Sequence, residues 1–455
     1  MRTLPEVTRE LDTTWLVVAA VLVMFMQAGF ACLEIGFSRG KNAGTVVAKI
    51  LLDFSVASLV WWMVGFGLAF GGGAAILGDS GFFLSVGHHI SNGSPIAGTF
   101  DAADSGYVLF QLVFCAVSLA IVWGTTLERI RFVAYPIYAT VFAGLIYPLV
   151  AHWIFGGGWL DQLGAGMQDF AGSTVVHLTG ATGGLAALLL LGPRRGKYGP
   201  DGQPRAIPGH SMPIFGLGVL ILWLGWFGFN AGSTIGTGGS RFAEIALVTN
   251  LAAAAGVVGA TITIVAISGR VDIGMVGNGA IGALVAITAP CGFVELWAAP
   301  IIGVVAGAAV VLSVLAIDRV LDDPVGALSA HGVAGVWGTL ACGLFASPRI
   351  VDAPGVPGDA GLVYGGGFEQ LGVQAIGVLS AFTLVFVLSY LTFAAIKATV
   401  GLRVTEVEER EGLDIVEHGM YGYPEQFMGG EEIGPPAPGV GALLGEAGQT
   451  PTSAR

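Results

Sequence analysis

The sequence predicts an all-α polytopic membrane protein of eleven transmembrane helices, built as two inverted five-helix repeats plus a final helix, with the N-terminus outside and the C-terminus inside. Three observations carry that expectation. Hydrophobic residues make up 54% of the chain and charged residues only 11%, against roughly a quarter charged in soluble domains. Apolar stretches of about 20 residues, the length that crosses a hydrocarbon core, recur along the chain. The 73 glycines suit helices packed at close range in lipid, where small residues let backbones approach, and so favour a bundle over a barrel.

Taken in order, residues 13–37 open the bundle and carry Gly29-Phe30 near their end, and 46–72 follow. The third span, 105–127, sets Phe110 and Phe114 four residues apart on one helical face. Residues 132–155 form the fourth and close on Phe155, ahead of Gly156-Gly157-Gly158. The fifth, 170–192, opens behind Asp169 and holds His177; the sixth, 212–235, carries Trp226, Phe227, Gly228-Phe229 and Ser233. Spans 242–268, 274–291 and 296–317 are apolar; 328–347 carries His331 near its start, and 371–399 is the additional helix. A weak internal repeat supports the two halves: Gly29-Phe30 echoes Gly228-Phe229, and His177 and His331 each begin a glycine-rich stretch in corresponding spans.

Orientation follows from charge. All but four of the 19 Lys and Arg residues, Lys49 among them, fall on one side of these spans; Arg2, Arg9, Arg241 and Arg349 are the exceptions. The segment Phe70 to Asp104 has His88 and His89 but no Lys or Arg, as an external loop would, and its Asn92-Gly93-Ser94 matches a glycosylation acceptor by pattern only. Pro193 to His210 is its basic cytoplasmic counterpart. The expected domains are an extracellular segment 1–12 without a secretory signal pattern, the helical domain 13–400, and an acidic cytoplasmic tail 401–455. That tail concentrates much of the net charge of -12 and ends in a mobile Pro/Gly-rich run from Gly429. Cys32, Cys115, Cys291 and Cys342 stand singly in apolar stretches, as packing residues do.

Chemistry is expected where polar groups enter these spans. His177 and His331 lie at membrane depth almost without charged neighbours, and an ionisable group there is costly unless it has a use. The alternative is a pair of structural histidines bonded to carbonyls. Asp169 suits a helix N-cap as well as a charge that steadies a bound cation, two helical turns above His177 if the eight residue steps between them rise about 12 Å. The aromatics at 110, 114, 226, 227 and 229 are either packing or a cation cage, and Ser233 offers an acceptor oxygen beside them.

The strings Gly225-Trp226-Phe227-Gly228-Phe229-Asn230-Ala231-Gly232-Ser233, Asp169-Phe170-Ala171-Gly172-Ser173-Thr174-Val175-Val176-His177 and His331-Gly332-Val333, with Val400-Gly401-Leu402-Arg403-Val404 and Glu409-Arg410-Glu411-Gly412-Leu413-Asp414 in the tail, resemble signatures of the ammonium transporter (Amt/Mep/Rh) family, from about Trp15 to about Gly419. The resemblance implies a homotrimer with one pore per subunit. It assigns Phe114, Phe155 and Ser233 to an outer ammonium site supported by Asp169, Phe110 and Phe229 to a stacked phenyl gate, and His177 with His331 to a pore-lining pair that relays protons. Phe155 departs from the pattern, standing where the family usually has tryptophan, so weaker cation binding or readier entry of methylammonium is expected.

The function expected is ammonium transport: recruitment at the outer site, deprotonation, and conduction of ammonia with net charge movement across a prokaryotic plasma membrane. No enzyme activity, cofactor, metal or nucleic-acid partner is expected, and a PII-type regulatory protein at the cytoplasmic face is the protein partner that the resemblance suggests. Two rivals remain: an ammonium sensor, disfavoured because no signalling-domain pattern follows Gly401, and a metalloenzyme using both histidines, disfavoured because no third ligand lies at suitable depth.

Overall fold

In a hydrocarbon environment every backbone N–H and C=O has to be satisfied within the chain, and a helix does this segment by segment. The computed structural model describes residues 3–84 and 102–427, and among them the only β pairing is isolated bridges. The apolar helices are α1 Leu4–Phe37, α2 Gly40–Phe70, α3 Ala102–Gly124, α4 Ala134–Ile154, α5 Ser173–Leu191, α6 Met212–Gly232, α7 Gly238–Ser268, α8 Ile273–Thr288, α9 Ala298–Ile317, α10 Leu328–Phe345 and α11 Glu369–Thr399. Ten are long and apolar enough to cross a membrane, so the chain is a multi-pass membrane protein; α8, of 16 residues, coincides with the expected span 274–291 but falls short of that length. His88, His89, the Asn92-Gly93-Ser94 pattern and the run from Gly429 lie outside the described residues.

Three boundaries differ from expectation, each for a local reason. Helix α1 begins at Leu4 because Thr3 and Glu6 form a capping box, the Thr3 amide donating to Glu6 Oε2 at 2.8 Å; residues 4–12 are its first turns and not a separate segment. Helix α2 begins at Gly40 and not at residue 46, so Lys49, counted with the basic residues of one membrane face, lies well inside it and is fully buried. Helix α5 begins at Ser173, after a stretch whose amides at Phe170 and Ala171 donate to the carbonyls of Ala289 and Thr288 at 3.0 and 3.1 Å. Irregular backbone is tolerated at depth here because it satisfies the open carbonyl end of α8.

Glycine sets the closest helix approaches. A Cβ on Gly218 of α6 would stand 2.5 Å from the Leu33 amide of α1. Along this pair Gly36 meets Phe215 while Gly29 meets Leu222, the register of antiparallel helices. Helices α5 and α10 are also antiparallel: the Thr174 and Thr339 hydroxyls share a hydrogen bond of 2.6 Å, and Gly332 faces Ala181. Helix α11 packs against both, and its Gln374 amide reaches Gln168 O at 2.6 Å and Thr339 O at 2.9 Å, pinning the approach to α5.

At the end of the bundle where the basic loops gather, the described part of the tail folds into three short helices, α12 Glu406–Glu411, α13 Leu413–His418 and α14 Pro424–Phe427. Asp414 accepts from the Gly44 and Thr45 amides at 2.9 and 2.8 Å, capping the start of α2. Glu409 accepts from the Arg195 amide and from Arg403, both at 2.7 Å. Beneath it Arg194 grips Asp322 with two nitrogens at 2.9 and 3.0 Å and approaches Glu128 at 3.6 Å, while Arg39 bonds Glu128 through Nε at 2.7 Å. Burial alone would raise the Asp322 carboxyl, but the Arg194 hydrogen bonds and the charges of Arg129 and Arg194 hold it down to about 2.

Candidate functional site

The residues singled out in the sequence converge on one axis through the bundle. At its mouth a cavity of about 510 Å³ is lined by Phe110, Phe114, Phe155, Asp169 and Ser233, with Arg241 and Arg349 at the rim. Those two arginines are neutralised by Glu244 and Glu295, Arg349 bonding them at 2.6 and 2.7 Å, and Asp161 lines the cavity as well.

Helix α6 ends at Gly232, and the Ser233 hydroxyl donates to Phe229 O at 2.9 Å, so its lone pairs stay available to an N–H donor in the cavity. Phe155, half-buried, caps α4 just before the left-handed Gly157 (φ 79°) turns the chain away. Neither neighbouring indole replaces it. Trp153 donates to Ile76 O at 2.9 Å and packs edge-on against Trp159, and neither lines the cavity.

Asp169 has both oxygens engaged by backbone: Gly172 N at 3.1 Å, Thr174 N at 3.0 Å and Val175 N at 2.9 Å. Gly172 takes φ 111°, open to glycine but not to L side chains, which is what folds the carboxylate back over the amides. The acid is thus a helix cap and a cavity wall at once. The expected two-turn separation from His177 does not hold, because residues 169–172 are not helical and the carboxylate bonds directly to the first turn of α5.

The stacked gate also differs from expectation. Phe229 stacks on Phe114, ring centroids 4.0 Å apart and planes 13° off parallel, whereas Phe110 is tilted against Phe114 at 4.5 Å and 46°. The register explains the exchange. Helices α3 and α6 run antiparallel here, and one turn earlier on α3 the Phe110 ring lies over Gly232, where a Cβ would stand 2.8 Å from it. Phe110 therefore belongs to the cavity wall, and the pair closing its floor is Phe114 and Phe229.

Behind that pair lie the imidazoles. His177 packs 5.4 Å from Phe229, stacks on Trp226 at 5.2 Å and 17°, and meets His331 Nδ1 to Nδ1 at 3.2 Å. Each histidine sits in a π-helical turn, Ser173–Leu178 in α5 and Leu328–Val333 in α10, a widening of the helix that is common at functional positions. A shared Nδ1 proton makes the two rings complementary: the donor's Nε2 is a bare acceptor and the acceptor's Nε2 carries hydrogen. His177 Nε2 is buried with no hydrogen-bond partner, so the reading of both histidines as structural groups bonded to carbonyls does not describe it. Beyond them His331 and Phe30 border a second, narrow cavity that also includes Glu34 and Asn278.

Sequence reasoning noted Trp226 but gave it no place in the site; Thr288 holds its indole N–H at 2.9 Å, fixing the plane on which His177 stacks. It missed Glu34, Lys49 and Gln374, although a lone charge or two amides one turn apart inside an apolar run is a legible signal.

Residues 14–423 match the sequence profile of the Ammonium Transporter Family. The chain is 44% identical over 425 residues to the ammonium transporter Amt2 of Archaeoglobus fulgidus, covering 91% of this chain and 88% of that one. Among solved structures it superposes on a sensor Amt protein with a TM-score of 0.83 at 35% identity, covering 91% of this chain and all of the other. Candida albicans Mep2 superposes with a TM-score of 0.80 at 28% identity, covering 91% and 90%. With the profile spanning nearly the whole described chain, and the relatives aligned along most of their own length, this protein belongs to the Ammonium Transporter Family.

Proposed function

We propose that the protein transports ammonium across a prokaryotic plasma membrane, taking up the cation and passing ammonia through the histidine-lined pore with net movement of charge. The observation that carries the reading is the unpartnered Nε2 of His177, buried behind the Phe114–Phe229 stack at the end of the cavity that Phe155, Ser233 and Asp169 border. Potassium and ammonium are nearly the same size, so selection falls to chemistry. A cation held on aromatic faces and the Ser233 oxygen meets an apolar path that penalises charge by several kcal/mol, and ammonium alone can shed a proton and go on as a neutral molecule. The complementary imidazoles then offer ammonia one acceptor and one donor, and the shared Nδ1 hydrogen bond gives the proton a route.

The same reading takes α8 as an eleventh span, the short one, which makes two inverted five-helix halves plus α11; the antiparallel packing of α1 on α6 and of α5 on α10 supports it. It puts the N-terminus outside and the tail in the cytoplasm, assembles the chain as a homotrimer, and makes the tail-side face the docking site of a PII-type regulator. A second reading, an ammonium sensor with little transport, is favoured by the sensor Amt protein among the structural neighbours.

Proteoliposomes on a solid-supported membrane separate these readings. Transport predicts transient currents on addition of ammonium, smaller ones with methylammonium and none with potassium. Ammonia uptake without current would make the protein a neutral channel, and ammonium binding without flux a sensor.

A further inference from the structure

We propose that Glu34, Lys49 and Asp53 form a proton-holding site at the inner mouth of the pore, and that Glu34 receives the proton passed along the histidine pair and returns it to ammonia. The inference rests on the charge-moving transport proposed above and assigns its inner end.

The site is built from two helices. Glu34 belongs to α1, and Lys49 and Asp53 stand one turn apart on α2. All three are buried, at 1%, 0% and 4% exposure. The Lys49 ammonium bonds Glu34 Oε2 and lies 5.9 Å over the ring of Tyr135 from α4. Two carboxyls and one amine leave an excess negative charge, and in a medium that penalises charge such a cluster reaches neutrality by holding one extra proton. The hydrogen-bond inventory agrees with a proton to spare: Glu34 Oε1 and both oxygens of Asp53 have no partner. An ion pair present only to hold α1 against α2 needs no second carboxylate and leaves no oxygen free.

Position links the cluster to the pore. Glu34 and His331 line one cavity of about 20 Å³, room for a single water. Asn278 from α8 is there too, its amide donating to Val325 O at 2.9 Å; Ala120, Ile121 and Gly124 from α3 and Phe30 and Leu33 from α1 add no charge. His331 is the more open imidazole, 5% exposed against 0% for His177. The titratable groups around Glu34 are thus Lys49 and Asp53 from α2, Tyr135 from α4 and His331 from α10, with Glu417 of the tail beyond Tyr135.

The step balances. A proton taken from ammonium at the outer end protonates the histidine pair, and the N–H of that imidazolium breaks as an O–H forms on Glu34, directly or through one water. The O–H then breaks as the ammonia lone pair takes the proton at the inner mouth, restoring the carboxylate and releasing ammonium.

The test measures two quantities on the full chain in proteoliposomes after an ammonium jump: charge moved, from solid-supported membrane currents, and total ammonia plus ammonium delivered, from an enzymatic assay of the liposome contents. Poor folding or insertion lowers both alike, so their ratio reports proton passage. Glu34→Gln should lower the charge-to-ammonia ratio by about tenfold or more, the scale of losing one proton-transfer group. The double variant Glu34→Gln with Lys49→Met, which leaves no lone buried cation, should show the same drop. Asp53→Asn, which keeps the Glu34–Lys49 pair but removes the excess charge, should lower the ratio too. Variant ratios equal to that of wild type, with wild-type current present, overturn the site while leaving the transport reading intact. Wild-type ammonia delivery without any current overturns the charge-moving reading and the site with it.

Discussion

Along the pore the two imidazoles are buried among phenyl and indole rings with no ion pair to either, and His177 Nε2 is left without a partner. At the tail end, Arg129, Arg194, Glu128 and Asp322 are as deeply buried, yet each charge has an opposite charge within 4 Å. The contrast separates two uses of buried polarity. Charges neutralised by one another and tied to loop carbonyls, as Arg129 is to Gly192 O, hold loops and tail in a single arrangement; a polar atom left open in an apolar path, with no opposite charge beside it, is available to a solute. The Glu34–Lys49–Asp53 cluster stands between the two, paired on one side and open on the other.

The comparison is broken most directly from the paired side. Arg194→Met removes the two-nitrogen grip on Asp322, leaving it only Arg129 at 3.9 Å while Glu128 keeps Arg39, and should cost about 3 kcal/mol, seen as a lowered thermal midpoint in detergent. The sign with pH follows from the depressed Asp322 carboxyl. Its contribution to stability is complete above its unfolded value of 3.8 and is lost as pH falls through about 2. The wild-type midpoint should therefore be insensitive to this group between pH 7 and about 4, and Arg194→Met, which raises the folded-state value toward 3.8, should shrink the acid loss that this group contributes.

On the open side, His177→Phe fills a similar space and keeps the ring against Trp226, so it should change stability little. Ammonium-driven current should nevertheless fall on the order of 10²-fold, the scale of removing a proton acceptor. If the variant instead melts early and transports normally, the histidine is packing and the distinction fails. The smallest effect sharpens the outer mouth: Phe155→Trp adds a stronger cation-binding face worth about 0.5–1 kcal/mol, a fewfold lower half-saturating ammonium concentration, with methylammonium currents reduced relative to ammonium.

The apolar stretches, the helical class and the family were all legible in the residues alone, because lipid leaves the backbone few choices and because the histidine, Asp169 and Trp226–Ser233 strings stand out of an apolar background. Phe114, Phe155, Asp169 and Ser233, grouped in the sequence reading, line one cavity, and Phe110, expected in the gate, lines it with them. Packing register was not legible. Whether Phe110 or Phe114 lands on Phe229 depends on how α3 and α6 slide past one another, a one-turn difference that helical periodicity within each segment leaves open. The π-helical turns, the fold of Asp169 onto the amides of α5 and the burial of Lys49 against Glu34 are likewise decided between helices. Sequence determined which groups enter the membrane; only the tertiary structure decided which of them are paired and which are left open, because pairing is a property of two surfaces brought together.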